Sequence, residues 1–164
     1  MPGVERPRRA EAEIASARCR LDVALREHQR AARRSGLREC GTIPNVDEIV
    51  DLDAAVGQVV DRIPMWASAG ITVRPVTWRD QGGGWPPPFK TDRSEVIDAD
   101  SIGVFLEKGQ QEGEVVLFKG GWCDYVYWTG ETDDDPVQDA PGYPDTMTVE
   151  GFGAVLDRLT AEFH

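Results

Sequence analysis

The chain has 164 residues and a formal net charge of −11, with five Trp and five Phe to build a core, the size and content of one domain with an appendage. No run of eighteen apolar residues can make a membrane-crossing helix, and no apolar h-region near the start makes a secretory signal, so the expected compartment is the cytoplasm. Cys19, Cys40 and Cys123 form no CxxC pair and only two His are present, which argues against zinc, and no cofactor is expected.

Charge divides the chain. Residues 1–39 hold ten Arg against six acids, +4, and residues 40–164 hold eight bases against twenty-three acids, −15. We therefore expect a basic N-terminal extension over 1–39 and a single acidic domain over 40–164. A body at −15 repels phosphate backbones, which excludes nucleic acid as the main domain's partner, and its field suits a basic protein surface.

In chain order, residues 8–35 are rich in Ala, Glu and Arg without Pro or Gly and predict a helix ending at Gly36. Its apolar stripe (Ile14, Leu21, Leu25) is thin, so it projects, packs on a partner or a second copy of itself, or is an extension with no structural role. Asn45 followed by Glu48 reads as a capping box, with Asp47 and Asp51 in the first turn. Ile49, Val56, Val59, Val60 and Ile63 then recur on one helix face, and Pro64 ends or kinks the helix. Met65 and Trp66 cap the core.

Ile71–Trp78 alternates as a strand, with Pro75 placing it at an edge. Residues 79–94 are a loop containing a flexible GGG and a stiff WPPPF, whose Trp85 and Phe89 are expected to pin it to the body. Residues 101–109, 114–120 and 122–128 predict a three-stranded meander, turned by Gly109 with Gly113 and by Gly120-Gly121. In the last strand Trp122, Asp124, Val126 and Trp128 share one face, and Cys123, Tyr125 and Tyr127 share the other. Residues 129–147 form an acidic, proline-punctuated loop. Thr148 then caps a final helix with the stripe Val149, Phe152, Val155, Leu156, Leu159 and Phe163. The expected fold is α+β: a two-layer sandwich with an antiparallel sheet of about four strands and helices on one face.

Catalytic chemistry is thinly represented. His28 and His164 are poorly placed to activate a nucleophile, and Cys123 beside Asp124 is a thiol held protonated. Glu131, Asp133, Asp134 and Asp135 lack the spacing of a calcium loop, and GGG is not followed by a Lys-bearing helix start as in a phosphate loop. What is concentrated is acid beside aromatics, the composition of a protein-binding surface. The candidate partner-binding residues are Trp122, Asp124, Tyr125, Tyr127, Glu131, Asp133, Asp134 and Asp135.

The stretch DSIGVFLEKGQQEGEVVLFKGGWCDYVYWTG (100–130) resembles small immunity proteins of bacterial polymorphic toxin systems, of the tryptophan-bearing TriTu type, through Ser101, Val104, Gly113, Gly121 and Asp124. The Arg and Ala richness resembles a high-GC actinobacterial genome. The resemblance implies a stoichiometric inhibitor, not an enzyme, whose acidic face covers the basic cleft of a cognate toxin. Two other readings stand beside it. One is a small ligand- or scaffold-binding α+β domain with WPPPF as a lid. The other is a carboxylate hydrolase working through Asp98, Asp100 or Asp124.

Overall fold

The computed structural model describes residues 49–164. The expected helix over 8–35 and the Asn45–Glu48 capping box lie outside them. The helix expected from Asn45 begins instead at Leu52, as α1 (Leu52–Val60), with Asp51 as its cap: the Asp51 carboxylate accepts from the Ala54 amide at 2.9 Å. Ile49 and Val50 stay outside the helix, and both of their amides donate to the Lys119 carbonyl. This start turns Leu52, Ala55 and Val59 into the core and leaves Ile49, Val60 and Ile63 exposed, a rotation of the expected stripe. Pro64 falls in the first turn of a separate short helix, α2 (Ile63–Ser68). There Met65 is exposed and Trp66 is fully buried, its indole N–H donating to the Thr160 hydroxyl at 2.7 Å.

Seven antiparallel strands follow among the described residues, more than the four expected: β1 (Thr72–Val73), β2 (Thr77–Asp80), β3 (Phe89–Lys90), β4 (Ala99–Lys108), β5 (Gln111–Phe118), β6 (Trp122–Trp128) and β7 (Val137–Asp139). The sheet order is β3–β2–β4–β5–β6–β7, with β1 also pairing β4. Pro75 splits the single strand expected over 71–78 into β1 and β2, which pair with successive halves of β4. The β4–β5 hairpin is tighter than expected. Lys108 pairs with Gln111, so Gly109, at φ 62°, and Gln110 make the turn. Gly113 is inside β5, where a Cβ would meet a Leu159 methyl at 2.6 Å, so glycine lets the last helix approach the sheet. The β5–β6 connection is the three residues Lys119 to Gly121, closed by Gly121 at φ 85°.

The closing helix α3 (Val149–Glu162) is capped by Thr148, whose hydroxyl accepts from the Gly151 amide at 3.0 Å. It buries Phe152, Val155, Leu156 and Leu159 against one sheet face supplied by Ile102, Val104, Leu106, Val115, Leu117, Cys123, Tyr125 and Tyr127. Arg62, beyond α1, forks onto Asp157 of α3 at 2.7 and 2.9 Å. The α+β class and the helix-covered sheet are as expected.

The loop after β2 is held differently from expectation. Trp85 is 82% exposed and Phe89 72%, so neither pins it. The anchor is Asp80, fully buried, which accepts from the amides of Gly82, Ile97 and Asp98 at 2.9–3.2 Å and from Lys90 Nζ at 2.8 Å. A buried carboxylate is tolerated only when its lone pairs are filled in this way. Arg93 adds a fork onto Asp53 of α1 at 2.7 and 2.8 Å.

Candidate functional site

The two faces of β6 separate the residues singled out from sequence. On the helix side, Tyr125 and Tyr127 are 1% and 4% exposed. The Tyr127 hydroxyl donates to the Glu162 carbonyl at 2.8 Å, and its ring meets Phe163 edge-on at 5.4 Å. The Tyr125 hydroxyl donates to the Glu162 carboxylate at 3.3 Å, and the Arg158 guanidinium lies 4.5 Å from its ring centre. Burial, and then the Glu162 charge, push the Tyr125 phenol up to about 12. Both tyrosines are core side chains, which corrects their expected place on a binding surface: the helix-facing parity of β6 gives them to α3. Cys123 shares that face, and burial, helped by Asp124, pushes its thiol up to about 12.

Trp122 and Asp124 lie on the opposite face of the strand, away from α3. Strand alternation and the register assemble that face in rows. Arg79, Ser101, Phe118 and Trp122 form the first row and Thr77, Gly103, Val116 and Asp124 the second. The third is Phe105, Glu114, Val126 and Gln138, and the fourth is Thr72, Glu107, Glu112 and Trp128. The face thus carries four carboxylates (Glu107, Glu112, Glu114, Asp124) interleaved with Phe105, Phe118, Trp122 and Trp128. Glu107 stands directly across from Glu112, an arrangement that raises the local negative potential. Phe118 and Trp122 stack at 4.0 Å with their planes 13° apart, and Tyr143 meets Trp122 edge-on at 6.0 Å.

Among the described residues, Arg74 and Arg79 share a common arrangement beside this face. Arg74 lies 4.1 Å from the Phe105 ring centre and 2.8 Å from a Glu107 oxygen. Arg79 lies 5.3 Å from the Phe118 ring centre, and its Nε donates to Asp100 at 2.6 Å. Each guanidinium has an aromatic ring beneath it and a carboxylate beside it.

The acidic residues Glu131, Asp133, Asp134 and Asp135 are exposed in the β6–β7 connection. The Trp128 indole N–H donates to the Glu131 carbonyl at 3.1 Å, and the Thr129 hydroxyl donates to Asp134 at 2.8 Å. At Gly130 a Cβ would meet Gln110 at 2.5 Å, which seats this loop against the β4–β5 turn, next to the Glu107–Glu112–Trp128 row. The structure therefore brings Trp122 and Asp124 to one sheet face, sets the acidic loop at the end of that strand beside Trp128, and leaves Tyr125 and Tyr127 on the other face.

Sequence reasoning missed Glu107, Glu112, Glu114 and the two arginines. Strand parity places Glu112 and Glu114 beside Trp122 and Asp124 once the hairpin register is known; the arginine contacts are long-range. Of the carboxylates considered for hydrolysis, Asp124 lies on the face with Trp122, and Asp98 and Asp100 are held in side-chain pairs. Asp98 pairs with Lys119 at 3.1 Å, and Asp100 is bonded to Arg79 and to Gln81 at 2.5 Å. Among the described residues no group of three or more His, Cys, Asp or Glu is placed to hold a metal ion. No helix among them is long and apolar enough to cross a membrane. No family model, curated protein or solved structure matches the chain.

Proposed function

We propose that the protein is a stoichiometric inhibitor of the immunity type, which acts in the cytoplasm by covering the basic cleft of a cognate bacterial toxin. The observation that supports this reading is the sheet face opposite α3, where Trp122 and Trp128 share strand rows with Asp124, Glu107, Glu112 and Glu114, and the exposed acids Glu131 to Asp135 follow directly on from Trp128. Aromatic anchors within a field of one sign suit both halves of association. The field accelerates encounter with a basic partner, and the rings supply buried contact once docked.

The test starts from the tagged full-length chain and a lysate of the source organism at low salt. The expected result is a basic protein captured at one-to-one stoichiometry, whose own toxic activity is abolished by the purified inhibitor. Charge reversal at Asp133, Asp134 and Asp135 slows association steeply at low salt and little at high salt. Trp122→Ala speeds dissociation instead. A captured protein whose activity is unaffected, or an association rate indifferent to the reversal at low salt, defeats the reading.

A further inference from the structure

We infer that the loop between β2 and β3 is a self-association surface, through which two copies of this chain form a weak two-fold dimer, the Trp85 ring of each packing on the proline run 86–88 of the other. This does not rest on the inhibitor reading.

Three large apolar side chains stand exposed in this region: Trp85 at 82%, Phe89 at 72% and Ile97 at 80%. Glycines draw their neighbourhoods together. A Cβ on Gly82 would meet Ile97 at 3.0 Å, and one on Gly83 would meet Pro88, which adjoins Phe89. The loop is held at its base instead, by the buried Asp80 with its three amide donors and Lys90. Its apolar side chains are therefore presented outward on an anchored loop, which lowers the ordering cost of docking. The stretch is also neutral: residues 81–89 carry no charge, and the Asp80 and Lys90 that flank them are paired with each other. Such a stretch has nothing with which to select a basic partner, and a chain at −11 is repelled by anionic lipid. It does carry both halves of one recognition chemistry, because proline faces pack on aromatic rings. A two-fold axis gives each copy's prolines the other copy's ring, an isologous contact. Proline has no N–H to donate, so the contact is made by side-chain faces and not by extending the sheet. With about 200 Å² to each large aromatic side chain, the exposed parts of Trp85 and Phe89 cover about 600 Å² across two copies. Ile97 and the exposed Pro86 bring the contact toward the roughly 1,000 Å² at which specific interfaces begin, so the dimer is weak.

The experiment is sedimentation equilibrium of the full-length chain from micromolar to millimolar concentration, at low and at high salt. The expected result is a monomer–dimer equilibrium with a dissociation constant on the order of 100 μM. Two copies of like charge repel, so the dimer should tighten about threefold at high salt, the opposite sign from association with a basic partner. The Trp85→Ser, Phe89→Ser double variant should weaken it by at least about tenfold. Thermal melts at low concentration establish that the variant is folded. A monomer at every concentration, a dimer that loosens as salt is added, or a dimer that survives in the double variant overturns the inference. So does binding to phosphatidylcholine vesicles that the double variant loses, which would give the patch to a lipid surface instead.

Discussion

Lys90 Nζ lies 2.8 Å from the buried carboxylate of Asp80, and this pair closes the loop over residues 81–89, whose own Trp85 and Phe89 are exposed. The Lys90 hydrogen bond first, and then the Asp98, Ile97 and Gly82 amides, hold the Asp80 carboxyl well below the usual carboxylate range against the opposing effect of burial. A carboxylate with a depressed folded value contributes stability that is complete above its unfolded value, about 3.9, and is lost as pH falls from there through the folded value. Asp53, Asp139 and Asp157 shift in the same direction through Arg93, Arg158 and Arg62, but they are largely solvated and screened. Urea midpoints of the wild type should fall between pH 7 and pH 3. Asp80→Asn should start lower at pH 7 and show a flatter fall over the same interval. Parallel curves would remove Asp80 from the acid response.

The loop aromatics should be indifferent to stability. Trp85 and Phe89 are 82% and 72% exposed, so Trp85→Ser and Phe89→Ser each change the unfolding free energy by no more than about 0.5 kcal/mol. Lys90→Met is the contrasting variant. It leaves the Asp80 charge buried with its amide donors but without its cation, and limited proteolysis should then nick the chain between Gln81 and Asp98. A loop cut faster in Trp85→Ser than in Lys90→Met would return the anchoring role to the aromatic ring.

Much of this architecture is written in local pattern. Alternation and glycine turns define β4 to β6, and Thr148 with the stripe behind it defines α3, because each signal is contiguous and obeys one period. Other features depend on choices that local pattern leaves open. The start of α1 at Leu52 is one of these, because the Ile49 and Val50 amides are taken by the Lys119 carbonyl, a contact distant in sequence. The strand β7 is three exposed residues with no pattern to read. For the candidate site, parity correctly separates Trp122 and Asp124 from Tyr125 and Tyr127, but both faces of β6 are apolar enough to be core. Only the position of α3 assigns the tyrosines inward. The Arg74–Glu107 and Arg79–Asp100 pairs join strands distant in sequence and have no local signature at all.

That assignment of the tyrosines has its own consequence. Removing the Tyr127 hydroxyl leaves the Glu162 carbonyl at the end of α3 without its donor, so Tyr127→Phe should cost about 1 kcal/mol in urea unfolding. Association with a basic partner should be unchanged, because the ring lies on the helix side of the sheet. Trp122→Ala should do the reverse to binding, since its ring lies on the other face. Weakened association in a Tyr127→Phe protein of undiminished stability would place the tyrosine back in the binding surface.

Cys123 provides a direct readout of the same face. Its thiol is fully buried on the central part of the sheet, and burial followed by the neighbouring Asp124 charge pushes it up to about 12. The reactive species is the thiolate, so at pH 8 the native protein presents almost none of it and presents it to no reagent. Iodoacetamide at pH 8 should leave the Cys123 peptide unlabelled in native buffer and label it fully in urea, with peptide mapping separating it from Cys19 and Cys40. Because β6 is bonded to strands on both sides, the residual native labelling rate should follow the global unfolding equilibrium and rise in destabilised variants such as Tyr127→Phe. Labelling in native buffer as fast as in urea would mean that the face of β6 carrying Cys123, Tyr125 and Tyr127 is open to solvent, and the division between core and binding face would then be reversed.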